Sequence, residues 1–390
     1  MTRMFQTIVH VDPWDLVDEG IDAVLDRLAG EAGATGISVT LSAPAAAYLR
    51  PHQGVHPRTF RSEGGLQFQP AKDAYAATRL RPLTAEWLKK SNPLIEVAQA
   101  CQDRGLTLRG RIVCCQSDLL APRFDFAAAK DVFGDRHPGW LCPANPDVRA
   151  FLRALVADLA ANLPTESLEL VAAGFPPPAD WNAHRDAGFD AGPAGQWLLS
   201  LCFCESCRQA AADVVDVAAA ARSATVILEP ALKTGEPVAP SVADLLADDP
   251  ILRAFAEWRA EQVMKLIGLM KNACGCRLLL NVGPDAWTPD ADLAAVAGRC
   301  DALVASAATE EAVEPAIRQA RTAAGADGRV EISIEGGSPG YTESASLVRS
   351  FSTAVRMGLR CAVVGSYGRM PLARLEWIKQ AARYALRESQ

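Results

Sequence analysis

The sequence contains no long apolar run, no extended basic cluster, no short internal repeat and no low-complexity tail. A membrane-spanning helix requires about 20 consecutive apolar residues, and no stretch approaches that length. Met1 to His10 lacks the apolar core of a secretion signal, so the expected location is cytoplasmic. The formal net charge is -7 and the pI lies near 5.4. A surface that binds nucleic-acid phosphates needs grouped Lys and Arg, and the nearest candidate, Arg79 to Arg81, is too short to supply it. The glycine-rich stretch Glu335 to Gly340 lacks the G-x-x-x-x-G-K spacing of a phosphate loop. Eleven cysteines are an odd number, and a chain of 390 residues needs no disulfide framework. Reduced thiols are therefore expected.

What is present is a regular alternation. Apolar and β-branched runs at Gln6–Val11, Gly36–Leu41, Thr107–Cys114, Ser167–Ala172, Arg277–Val282, Ala302–Ser306, Val330–Glu335 and Arg360–Gly365 are each followed by an amphipathic helical pattern. The helices expected are Asp15–Leu28, Pro93–Arg104, Pro146–Asn162, Ile251–Ala273, Ala291–Gly298, Glu310–Ala324, Thr342–Met357 and Leu372–Leu386, with Asn145 as an N-cap before Pro146. The Ala-rich stretch Ala210–Ala221 reads as one further helix. Eight strand-helix units predict an α/β fold of the (β/α)8 TIM-barrel type, one domain spanning 1–390. Long connections follow strands two, three and four, as insertions 42–92, 115–145 and 173–249. They gather at the end where strands terminate, which is where such barrels build their sites.

In the last of these insertions Cys202, Cys204 and Cys207 form a C-x-C-x-x-C array. Thiolates so spaced converge on one ion, and tetrahedral zinc then needs a fourth ligand, for which Cys142 is the best candidate. Four sulfurs close the coordination shell, so the expected Zn2+ is structural. Cys101, Cys274, Cys276, Cys300 and Cys361 lie in or beside apolar segments and read as small buried hydrophobes.

The segment Cys142-x-x-x-Pro146-x-x-Arg149 followed by the cysteine array resembles the zinc-bearing barrel of the glycoside hydrolase family 42 β-galactosidases. More closely, the runs HVDPWDL (from His10), LCPANPDVRAFLRALVADLA (from Leu141), LLSLCFCESCR (from Leu198) and YGRMPLARLEWI (from Tyr367) resemble a bacterial group of glycoside-hydrolase-like (β/α)8 proteins. The resemblance covers most of the chain and is sharpest between Trp140 and Arg208. It implies a carbohydrate or sugar-like ligand and a carboxylate pair, one on strand four and one ending strand seven, for which Glu169 and Glu335 stand. Such a pair is about 5–5.5 Å apart in retaining enzymes and about 6.5–9.5 Å apart in inverting ones. The chain departs from the family pattern at the end of strand four: Val171-Ala172-Ala173 stands where family 42 has Asn-Glu, with Glu169 further back. Cys114-Cys115-Gln116-Ser117-Asp118 replaces a His-Asn of the closer group. A barrel that binds a glycan or metabolite without cleaving it is therefore the alternative expectation.

Other residues suit a sugar site. His10 and Asp12 share one face of the first strand, and Trp14 offers a stacking platform. His52 and His56 stand in a Pro-bounded loop unsuited to a helical metal pair, so His52 reads as a substrate contact. Gln116 and Asp118 can replace the lost polar contacts, and His184 matches a histidine of the bacterial group. Asn281, Asp285 and Trp287 follow strand five. Tyr341 and Tyr367, with Arg369, follow strands seven and eight. The expected partners exclude nucleic acid and membrane, and a homo-oligomer stays open.

Overall fold

A computed structural model of the chain describes residues 4–52, 58–88, 92–178, 188–283 and 292–389. Eight strands, β1 (Gln6–Val11), β2 (Gly36–Ala43), β3 (Thr107–Val113), β4 (Ser167–Val171), β5 (Arg277–Asn281), β6 (Ala302–Ala307), β7 (Val330–Ile334) and β8 (Cys361–Val364), pair in parallel in chain order. The circle closes twice over on β1, which pairs with β8 through Ile8 and Val363 and with β2 through Val9 and Ile37. This is the (β/α)8 barrel expected, and its strands fall within two residues of their predicted ends. Among the described residues no helix is long and apolar enough to cross a membrane.

Side chains alternate along each strand, so every second residue enters the bore. Three levels result. The floor is ionic: Arg109 of β3 donates to Glu331 of β7 and to Gln6 of β1, and Arg277 reaches Glu331 at 3.1 Å. Above it lies an apolar waist made by Ile8, Cys361 and Val363 on one side and Leu279, Ala302 and Val304 on the other. The top level, His10, Thr40, Arg111, Glu169, Asn281 and Ser306, is polar again. Burial pushes the Glu331 carboxyl upward, but Arg109 and Arg277 outweigh it and hold it below the ordinary carboxylate range. Removing one member of a buried pair strands its partner, so Glu331→Gln is expected to cost about 3 kcal/mol in denaturant unfolding. A loss below about 0.5 kcal/mol would mean that the floor contributes little.

The outer helices follow the expected order, with α1 (Pro13–Glu19), α2 (Ile21–Gly30), α3 (Pro93–Asp103), α4 (Pro146–Asn162), α5 (Pro250–Ala273), α6 (Leu293–Ala297), α7 (Val313–Ala324), α8 (Ser344–Arg356) and α9 (Arg374–Glu388). Asn145 caps α4 by accepting from the amides of Asp147 and Val148. Two expectations are corrected. The single helix read over Asp15–Leu28 is broken at Gly20, whose φ of 91° no helix accommodates. The Ala-rich stretch Ala210–Ala221 is likewise split between helices Glu205–Ala211 and Val217–Thr234, because the Asp216 side chain caps the second helix by accepting from Ala219.

The three long connections all emerge at the C-terminal end of the barrel. The first carries a small hairpin, Ala46–Leu49 with Thr59–Ser62. The second carries another, Ala128–Lys130 with Arg136–Leu141, and the third carries helices that continue to α5. Trp140 in the second connection donates to Gly174 in the third, at 3.0 Å.

Candidate functional site

At the mouth of the barrel the fourth strand presents Glu169, which is 5% exposed. Asn281 of β5 donates to its Oε1 at 2.8 Å, and Asn281 is itself shared with Ser306 of β6 at 3.1 Å. Arg111 of β3 brings its Nε to 3.7 Å from the same carboxylate oxygen. That Nε makes no hydrogen bond among the described residues although it is buried. Across the bore His10 contacts Thr40 through Nε2 at 3.1 Å, and Thr40 donates to Asp12 at 2.8 Å. Burial lowers the His10 imidazole to about 4, with the charges of Arg111 and Arg369 adding to the effect and Asp12 opposing it. His10 is therefore neutral at physiological pH and offers one donor and one acceptor.

Glu335 lies one residue beyond the end of β7 and is exposed. Its backbone is fixed on both sides: its amide donates to Ala307 and its carbonyl accepts from Ser338 at 2.7 Å. Gly336-Gly337-Ser338-Pro339-Gly340 spells the G-x-S-x-G of a serine hydrolase elbow. No described histidine bonds Ser338, whose hydroxyl instead accepts from the Gly340 amide. The backbone at the end of β4 carries a left-handed residue, Ala172 with φ 51°, where an alanine is strained.

Several sequence-predicted residues are engaged by partners within the protein. Trp14 is 3% exposed, stacks on Phe60 with ring centres 4.5 Å apart, and donates to the Tyr48 hydroxyl. Its face is covered, so it is no stacking platform. Tyr48 in turn donates to Asp12 and lies under the guanidinium of Arg369. The His52 side chain is 5% exposed and is clamped between Glu19 of α1, at 3.1 Å, and the Tyr367 carbonyl. Tyr367 is fully buried and donates to Glu19 at 2.8 Å, while Tyr341, also fully buried, pairs with Ser350 of α8. These three hold outer helices to loops; their hydroxyls and ring nitrogens are committed away from the bore. Asp118 accepts from the Ala45 amide at 2.7 Å and so pins the first connection to the second, and Gln116 bridges Trp140. His184, His56, Asp285 and Trp287 lie outside the described residues. The sequence reading missed Arg111, Thr40 and Ser306, although Arg109-Gly110-Arg111 in an apolar strand was a signal: two charges two apart share the inner face.

Beneath the mouth, Asp15 is buried in α1 with Arg50 at 3.5 Å. Burial raises its carboxyl to about 8, Asp12 adds to the rise and Arg50 opposes it. A side chain at position 368 would collide with this carboxylate, which accounts for Gly368. The folded chain thus holds a proton that the unfolded chain releases between about pH 4 and about pH 8, so stability falls as pH rises through that window. Asp15→Asn removes this term. The variant is expected to melt about 3 °C above the parent at pH 8, with the gap narrowing toward pH 5. A gap independent of pH would contradict the assignment.

The four cysteines read as a cluster do converge. Cys142, Cys202, Cys204 and Cys207 are buried and their sulfurs lie within 4.8 Å of one another. Cys142 and Cys207 are 3.5 Å apart, and Cys204 and Cys207 3.8 Å. These separations are far too long for a disulfide and match the edge of a tetrahedron with metal–sulfur bonds of about 2.3 Å, which is about 3.8 Å. The amide of Lys130 donates to Cys202 Sγ, and Arg149 packs nearby, anchored on the Pro143 carbonyl and Gln262. The donor set fits a soft or borderline divalent metal held by four thiolates. Of the remaining cysteines read as buried, Cys101 and Cys361 are so, whereas Cys274, Cys276 and Cys300 are partly exposed.

No family profile and no curated protein matches the chain. Solved structures do. The glycoside hydrolase domain of PgaB (BpsB) from Bordetella bronchiseptica aligns over 97% of this chain and 98% of its own, with TM-score 0.56 and 12% identity. A β-galactosidase from the haloarchaeon Halorubrum lacusprofundi gives TM-score 0.58 at 11% identity, and an α-L-fucosidase from Paenibacillus thiaminolyticus 0.54 at 14%. This chain spans 57% and 49% of those two longer proteins. What all three share with it is the barrel.

Proposed function

We propose that the chain is a glycoside-hydrolase-like enzyme that binds a sugar or glycoside at the C-terminal mouth of its barrel and acts through Glu169 and Glu335. The observation that carries this reading is Glu169 on β4, gripped by Asn281 and Arg111, with a second carboxylate ending β7. In this scheme Glu335 is the nucleophile or the electrostatic partner of an oxocarbenium-like centre. Glu169 exchanges a proton with the departing oxygen. Neutral His10, and Arg111 beside Glu169, are suited to sugar hydroxyls or to an oxygen carrying negative charge. The four-cysteine cluster holds one Zn2+ as a scaffold between the second and third connections.

A panel of nitrophenyl glycosides tests the reading, followed by proton NMR of the anomer first released. Hydrolysis lost in both Glu169→Gln and Glu335→Gln supports it. A second reading, ligand binding without cleavage, is favoured by Val171-Ala172-Ala173 at the end of β4, where the resemblance calls for Asn-Glu. Calorimetric binding of a glycan with no turnover of any glycoside would select it.

A further inference from the structure

A second sulfur site lies at the opposite end of the barrel. Cys274 and Cys276 flank Gly275 where α5 gives way to β5, and their sulfurs are 3.5 Å apart. Both residues are partly exposed, and neither belongs to the four-cysteine cluster. Cys274 is extended, with φ -86° and ψ 119°, and the chain bends at Gly275 and Cys276, which brings the two sulfurs together. A side chain placed at Gly275 would meet nothing closer than the Ala160 side chain at 3.8 Å, so the link between the two thiols has room to adjust. A disulfide needs about 2.05 Å; closing the remaining gap of about 1.5 Å is within reach of side-chain rotation.

The surroundings separate the roles of the two thiols. The contact with Cys274 is the largest influence on Cys276 and lowers its thiol to about 7 against the effect of burial, with Thr165, 3.9 Å away, and Lys271 assisting. Cys274 is shifted the other way by the same contact and by burial. Cys300, also partly exposed, is pushed up to about 11 by burial and by Asp301. One partly exposed cysteine is thus held toward the thiolate with a second thiol in contact at 3.5 Å, the arrangement of an attacking and a resolving cysteine.

We propose that Cys274-Gly275-Cys276 is a redox-active dithiol that closes to an intrachain disulfide when a small hydroperoxide oxidises it. The Cys276 thiolate attacks one peroxide oxygen; the S–O bond forms as the O–O bond breaks, and hydroxide leaves. The Cys274 sulfur then attacks the sulfenic sulfur, its proton passes to the departing oxygen, the S–S bond forms and water leaves. Two thiols and one hydrogen peroxide give one disulfide and two waters: the sulfurs lose two electrons and the peroxide gains them. A thiol reductant reverses the change.

The test uses the full chain in its metal-loaded form. Cleavage after Lys271 and Arg277 isolates the pair in the peptide Asn272–Arg277, free of the other cysteines. After brief exposure to near-stoichiometric hydrogen peroxide at pH 7 and alkylation, that peptide is expected to be about 2 Da lighter than the unmodified dithiol form and to carry no alkyl group. Dithiothreitol restores both alkylation sites. Cys274→Ser is expected to leave a sulfenic acid on Cys276 that dimedone traps, and Cys276→Ser to abolish the reaction. Zinc measured in the same samples separates oxidation here from attack on the four-cysteine cluster. Full alkylation of both thiols after peroxide, or a sulfenic acid that persists on Cys276 while Cys274 is present, would overturn the proposal.

Discussion

Glu335→Gln is expected to reduce turnover of any hydrolysed glycoside at least a thousandfold, about 4 kcal/mol of barrier, while melting within about 2 °C of the parent. The reasoning joins burial to chemistry. Glu335 is exposed, so no buried charge or network is disturbed when the carboxylate becomes an amide. An amide can neither attack an anomeric carbon nor offset positive charge there. The same substitution at Glu169 has a different signature. If Glu169 protonates the leaving oxygen, Glu169→Gln should slow poor leaving groups far more than activated phenols, which depart without assistance. Because Glu169 is buried and accepts from Asn281, that variant should also lose some stability. Full activity in Glu335→Gln would refute its assignment, and equal slowing of all leaving groups in Glu169→Gln would refute the acid role.

The second large effect concerns the thiols. Protein purified without added metal is expected to contain about one zinc per chain, and Cys204→Ser to lower the melting temperature by about 10 °C or more. Cys204 sits at the N-cap of the helix Glu205–Ala211, and Cys142 sits just before α4. One ion held by the four sulfurs would therefore join two connections whose closure is otherwise opposed by chain entropy. Four thiolates around Zn2+ leave no position for water, so turnover by the surviving folded fraction should change little. Less than a third of an equivalent of zinc would sink the metal assignment. Unchanged melting with a rate reduced more than a hundredfold, about 2.7 kcal/mol, would move the metal from scaffold to mechanism.

The barrel was legible because its signal is periodic: eight β-branched runs, each followed by a helix, survive any amount of loop variation. The cysteine cluster was legible for another reason: the spacing within Cys202 to Cys207 asks for a fourth sulfur, and Cys142, which like the triplet stands at a helix entrance, converges with the other three. The packing of single residues that follow the strand ends was not legible. Trp14, His52, Tyr341 and Tyr367 are types that suit sugar sites, but residue type does not say which way a loop turns its side chain. Each one found a partner in the protein: Phe60, Glu19, Ser350, and Glu19 again. Arg111 was overlooked because a charged residue within a short apolar strand is easily read as an interruption. Its neighbour Arg109, two residues back on the same face, marked both as belonging to the bore.

The apolar waist has a consequence for traffic. Ile8 and Val304 are inaccessible, and Leu279, Ala302, Cys361 and Val363 are nearly so, so among the described residues the bore is closed below its mouth. A ligand that enters above Glu169 would leave by the way it came, and under the proposed activity a departing product would stand in the path of the next arrival. Under the proposed activity, competition between product and substrate for that mouth would follow from the architecture.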